Sequence, residues 1–212
     1  MGRVTMKRPV RQSLSNKNLS IIGIPKKFYG ISIDDFKADE EELVKVRDYV
    51  ADYIANIDDK YMKNSGIYFY GSNGVGKTML SCIIAKEAYR HRYTSKRVTL
   101  SEYVQKYTAM WGAKDPEEKV ALEEEFYNRF KAVDFLVLEE IGKELDTKVV
   151  RPILEDLLRY REDNGMVTIF CTNLSPVKVK EIYGASIFSL IKGNSYPVLI
   201  DERDRRDEYF EG

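Results

Sequence analysis

Residues Gly71-Ser72-Asn73-Gly74-Val75-Gly76-Lys77-Thr78 form a complete G-x-x-x-x-G-K-T segment, and its flanks are those that such a segment requires. Before it, Ile67-Tyr68-Phe69-Tyr70 is a short apolar, aromatic run that reads as a buried strand. After it, Met79, Leu80, Ile83, Ile84 and Ala88 recur at helical spacing to Arg90. Glycines between a strand and a helix let backbone N–H groups curl around a triphosphate, and the helix N-terminus adds partial positive charge. On this reading residues Gly71 to Thr78, with Met79 behind them, bind the nucleotide. Lys77 reaches the β- and γ-phosphates, and the Thr78 hydroxyl ligates Mg²⁺.

The remainder of the composition narrows the setting. With 212 residues the chain can bury one sizeable core, and 34 basic against 34 acidic residues leave no net charge. The charge is unevenly spread: residues 1–30 hold Arg3, Lys7, Arg8, Arg11, Lys17, Lys26 and Lys27 and no acid. Residues 1–20 therefore read as a flexible basic arm, either solvated or touching nucleic acid or an acidic partner. Cys82 and Cys171 sit in apolar runs and read as reduced core residues. One histidine and no Cys-x-x-Cys argue against zinc. No apolar stretch reaches the ~20 residues that span a bilayer, and no apolar segment follows the N-terminal basic residues. The expectation is a cytoplasmic protein without a membrane partner.

Short apolar strands alternate with helices along the chain. Amphipathic periodicity predicts helices over 39–57, 101–110, 115–130, 147–161, 175–183 and 187–191. Ser101 is the expected cap of the second and Pro116 the first residue of the third. Further strands are expected at 98–100, 135–138, 167–171 and 196–200. The pattern predicts an α/β fold, a P-loop NTPase with a parallel sheet flanked by helices on both faces. The expected division is an arm at 1–20, an ATP-binding domain at 21–203 and a charged tail at 204–212.

Hydrolysis needs acids opposite the phosphates. Phe135-Leu136-Val137-Leu138 ends on Glu139-Glu140, which fits a Walker B strand, with Glu139 as the metal-side acid and Glu140 as the base that polarises water. The first acid is Glu where Asp is usual, one methylene longer. The next strand ends Cys171-Thr172-Asn173, and Asn173 is either a sensor of the γ-phosphate or a turn former before Leu174-Ser175-Pro176.

P-loop, Walker B and the Thr172-Asn173-Leu174-Ser175 turn, in this order, resemble the AAA+ ATPases of the DnaC/DnaI helicase-loader and IstB group. Ile24-Pro25-Lys26-Lys27-Phe28-Tyr29 and Ile33-Asp34-Asp35-Phe36 resemble that group's lead-in segment, which implies that Ile24 and Tyr29 lie near the adenine. Leu138-Glu139-Glu140-Ile141-Gly142 is similar to its acid-acid-Ile-Gly pattern. The likeness covers about residues 21–203. It implies ATP and Mg²⁺ as cofactors, a role in DNA replication, and a replicative helicase and single-stranded DNA as partners. It leaves a homo-oligomer open.

Two departures follow. Loaders of this group usually carry a separate N-terminal domain that grips the helicase, which a basic arm over residues 1–20 cannot supply. The group also tends to have arginines where this chain has Ser186 and Leu190. The implied consequence is weak hydrolysis without a partner, unless Arg203, Arg205 or Arg206 substitutes. Tyr103, Lys106, Tyr107 and Trp111 are the candidate DNA contacts, against a competing assignment of the aromatic stripe to the core. Glu117, Glu118, Glu123, Glu124 and Glu125 form an acidic face that repels DNA. Alternatives are an IstB-like ATPase serving a transposase, a non-hydrolysing ATP-gated adaptor, and a small-molecule kinase. The last would need more lid arginines than Arg151, Arg159 and Arg161.

Overall fold

The strand Gly66–Tyr70 (β1) leads into the helix Lys77–Arg90 (α4) across the glycine-rich loop, as its sequence requires. The computed structural model describes residues 12–143 and 147–200. Ahead of β1 lie helices Asn16–Ile22 (α1), Glu41–Ala55 (α2) and Ile57–Met62 (α3). After α4 come Ser95–Thr99 (β2), Leu100–Gly112 (α5), Pro116–Phe126 (α6), Phe135–Ile141 (β3) and Thr147–Asp163 (α7). The chain continues through Val167–Thr172 (β4), Pro176–Tyr183 (α8), Ala185–Asn194 (α9) and Ser195–Leu199 (β5). The strands form one sheet in the order β2-β3-β4-β1-β5, parallel throughout. Parallel neighbours require crossover connections, so helices cover both faces.

Side-chain alternation divides the core in two. Ile67, Phe69, Phe135, Val137, Val167 and Ile169 face α2 and α4, packing with Leu43, Val50, Leu80 and Ile84. Tyr68, Leu136, Leu138 and Phe170 face the other way, against Leu100, Leu154, Leu157 and Ile187. By parity Glu139 belongs on the α4 face. After it the register of β3 against β4 shifts, with Glu140 at φ 60°. The bulge carries Ile141 into the cluster on the opposite face and leaves Glu140 exposed at the strand tip. A non-glycine residue in the left-handed region is strained by about 1 kcal/mol or more, and such residues gather at functional sites.

Three expectations need correction. Residues 16–20 are not part of a flexible arm: Ser15 caps α1 through a reciprocal box with Asn18, and Leu19 and Ile22 are buried. Gln12 and Asn18 both donate to the Tyr89 hydroxyl, at 2.9 and 2.7 Å, tying this segment to the end of α4. The strand expected at 98–100 begins at Ser95, and Thr99 rather than Ser101 caps α5, accepting from the Glu102 N–H at 3.1 Å. The helix expected over 39–57 is two, α2 and α3, broken at Asn56. Arg203, Arg205 and Arg206, and the boundary at 203, lie outside the described residues.

Candidate nucleotide-binding site

The loop between β1 and α4 lies at the carboxyl end of the sheet, where open α/β sheets bind ligands. Two glycines shape it. Gly71 has φ 141°, and a Cβ there would lie 2.0 Å from the Ile200 carbonyl oxygen. Gly76 has φ 104°, and a Cβ there would lie 2.8 Å from the Phe36 ring, so the lead-in segment packs directly on the loop. Lys77 is 8% exposed, and its ammonium donates to the carbonyls of Gly71, at 2.8 Å, and Ser72. Val75 is fully buried and anchors the loop to the core.

The ends of β3 and β4 lie beside this loop. Glu139 is 3% exposed. The Ser81 hydroxyl, one helical turn after Thr78, lies 3.2 Å from Glu139 Oε1 and 3.1 Å from the Thr78 carbonyl oxygen and shares its one proton between them. Arg97 of β2 pairs with Glu139 Oε2. Asn173 Nδ2 donates to Asn73 Oδ1 at 2.8 Å, so the tip of β4 is hydrogen-bonded to the P-loop itself. Thr172 fixes that turn, donating to the Ile141 carbonyl at 2.7 Å and accepting from the Leu174 N–H at 3.0 Å. Glu140 is exposed and pairs with Lys143 at 3.0 Å.

These donors fit Mg²⁺. The ion keeps several waters and takes one or two carboxylates plus substrate phosphates. A hydroxyl on Thr78 and a buried carboxylate on Glu139, tied to the same helical turn through Ser81, match that demand. No cluster of three or more His, Cys, Asp or Glu side chains able to hold a metal occurs among the described residues.

Of the adenine-side candidates, Ile24 is buried in the α2–α4 core cluster and Tyr29 packs against that cluster. Lys86, which sequence reasoning missed, orders their segment. It is 2% exposed, and its ammonium donates to the carbonyls of Phe28 at 2.7 Å, Tyr29 at 3.4 Å and Ile31. Its position on the buried face of α4 was the available signal. Arg97 was missed because β2 was placed too late. Once the strand starts at Ser95, its parity puts Arg97 on the face of Glu139.

The candidate DNA contacts separate. Tyr103 is core, 1% exposed and packed on Phe126, whereas Trp111 is 63% exposed with the Lys119 ammonium over its ring. Lys106 lies over Phe130. Ser186 donates to Glu155 at 2.7 Å and accepts from Arg159 at 2.9 Å, and Leu190 is buried in the core.

Both cysteines are buried. Cys171 lies beside the site, its thiol 3.7 Å from the Lys77 carbonyl oxygen. Burial, with the nearby Glu139 charge, pushes its pKa well up, and the same causes raise Cys82 to about 12. Neither thiol should react with iodoacetamide at neutral pH in the folded protein, while both should react in denaturant; mass spectrometry of the two samples checks this.

Fold and site together define an α/β domain with a five-stranded parallel sheet and a P-loop between β1 and α4. Its relatives are replicative helicase loaders. DnaI of Bacillus subtilis is 26% identical over 215 residues, spanning 95% of this chain and 67% of that protein. DnaC of Escherichia coli K12 is 25% identical over 161 residues, 75% of this chain and 60% of that protein. The solved DnaC helicase loader superposes with a TM-score of 0.70 at 18% identity, over 83% of this chain and 99% of that one. The replication initiator DnaA bound to AMPPCP and single-stranded DNA superposes at 0.65, with 19% identity, over 88% of this chain and 56% of that one. No family model matches the chain. No helix among the described residues is long and apolar enough to cross a membrane.

Proposed function

We propose that this chain is a DnaC-like loader of a replicative helicase, in which bound ATP controls affinity for the helicase or for single-stranded DNA. The relatives' names support the role in replication, and the AAA+ fold supports ATPase activity. The observation that carries the nucleotide reading is the Asn173–Asn73 hydrogen bond, which joins the turn after β4 to the P-loop. A cytoplasmic location goes with this reading.

The residues divide the work. The backbone of Gly71 to Gly76 cradles the phosphates, and Met79 packs behind the loop. Lys77, held by two loop carbonyls, carries its charge at the position where the β- and γ-phosphates bind. Thr78 and Glu139 would hold Mg²⁺, which when bound neutralises charge building between those phosphates. Glu140, presented by the bulge, orients water, and Asn173 reports the γ-phosphate to β4. Hydrolysis is slow without a partner: Ser186 is committed to Glu155 and Arg159, and Leu190 to the core. Trp111, exposed with the Lys119 ammonium over its ring, is the surface for a base or a partner side chain.

The test is ATP turnover by the purified chain, alone and with single-stranded DNA, beside Glu140→Gln. The expected result is DNA-stimulated turnover that falls about 100-fold in the variant, with nucleotide affinity retained. Tight nucleotide binding without turnover under either condition would leave the non-hydrolysing adaptor instead. The Lys143–Glu140 pair favours that second reading, since it occupies the proposed base.

A further inference from the structure

Arg97 stands outside every role assigned above, yet it pairs directly with the buried Glu139 carboxylate. It projects from β2 on the α4 face, and its guanidinium pairs with Glu139 Oε2 while the Ser81 hydroxyl lies beside Oε1. Arg97 is thus the undivided donor to this carboxylate, since Ser81 shares its one proton with the Thr78 carbonyl. The other prong of the fork donates to the carbonyl of Gly23, the C-cap of α1, at 3.3 Å. Its Nε is buried without a hydrogen-bond partner, so the side chain is held where the pair needs it at some cost in polar satisfaction. Burial alone lowers the pKa of this guanidinium, but the Glu139 charge and hydrogen bond reverse that, and the net direction is upward.

A glutamate at a strand end has one more rotatable bond than an aspartate, and therefore more poses to lose before it can hold a ligand. An undivided donor removes much of that freedom, as outer partners do for metal-binding carboxylates generally. From this geometry we infer that Arg97 is the positioning residue for Glu139: it fixes the carboxylate that would hold Mg²⁺ and so sets the Mg²⁺-dependent part of nucleotide affinity. The inference rests on the nucleotide reading above. It also makes α1 a neighbour of the metal side of the site, through Gly23 and one guanidinium.

The experiment is titration of a fluorescent ATP analogue in excess Mg²⁺ and in EDTA, for wild type, Arg97→Met and Arg97→Lys, with thermal melts as the folding control. The ratio of the two affinities is read, because a purely structural defect weakens both alike. In Arg97→Met the ratio should fall about tenfold while the EDTA affinity holds. In Arg97→Lys, which keeps the charge but loses the two-pronged reach, it should fall less, by about threefold. Should the methionine variant fail to fold, the lysine variant decides. An unchanged ratio, or one that rises because a repelling charge has been removed, overturns the inference. Wild-type protein that binds no nucleotide overturns the nucleotide reading itself and this inference with it.

Discussion

Lys77→Ala should abolish nucleotide binding without unfolding the protein. The ammonium is the only cation of the G-x-x-x-x-G-K-T segment, and it donates to the Gly71 and Ser72 carbonyls of the same loop. Alanine removes the charge that meets the β- and γ-phosphates and leaves Gly71 and Ser72 within reach of water at the mouth of the site. The expected loss is at least about 100-fold in ATP affinity, close to 2.7 kcal/mol. Calorimetric titration measures it, and a thermal melt within a degree or two of wild type shows that the fold survives. Retained affinity would place the nucleotide elsewhere and sink the assignment of the loop.

The opposite pattern is expected for Arg161→Met. Arg161 is 1% exposed, in the last turn of α7. It donates to Thr168 Oγ1 at 2.8 Å and to the carbonyls of Lys131 at 3.0, Val133 at 2.8, Asp134 at 3.4 and Val167 at 2.6 Å. One side chain thus bolts α7 to the entries of β3 and β4, at the end of the sheet away from the P-loop. Burial lowers its pKa to about 10, so it remains charged at neutral pH. Methionine fills much of the volume and satisfies none of the carbonyls, each of which costs about 1–3 kcal/mol when buried unpaired. Backbone relaxation recovers part of this, and a net loss of about 4 kcal/mol is expected. For a domain of this size that is a drop in Tm of about 10 °C. ATP affinity measured well below the transition should match wild type. A Tm within 2–3 °C of wild type would show that the carbonyls find other partners.

Much of this architecture was legible along the chain. The apolar runs at Ile67–Tyr70, Phe135–Leu138 and Val167–Cys171 are buried strands because nothing but a sheet covered on both faces hides such continuous runs. The setting of the glycine-rich segment between strand and helix was legible for the same local reason: its geometry follows from residues adjacent in sequence. Pro116 and Ser175 opened their helices as expected. The N-terminal region was misread because its polar, basic composition conceals a short amphipathic helix. Leu19 and Ile22, buried in the α2–α4 core cluster with α1 beside β2, justify it.

What lay beyond the sequence is everything that depends on which strands are neighbours. The order β2-β3-β4-β1-β5 puts β3 beside β2 and β4 beside β1, and no local pattern states that order. From it follow the Arg97–Glu139 pair, 42 residues apart, and the Asn173–Asn73 bond, 100 residues apart. The bulge at Glu140 is of the same kind: two adjacent glutamates read alike, but a register shift against β4 buries one and exposes the other. Residue types and short-range spacing determine which groups can do phosphate chemistry. Sheet order and register decide which of them meet, because hydrogen-bonded strands lie only about 4.8 Å apart however much chain separates them.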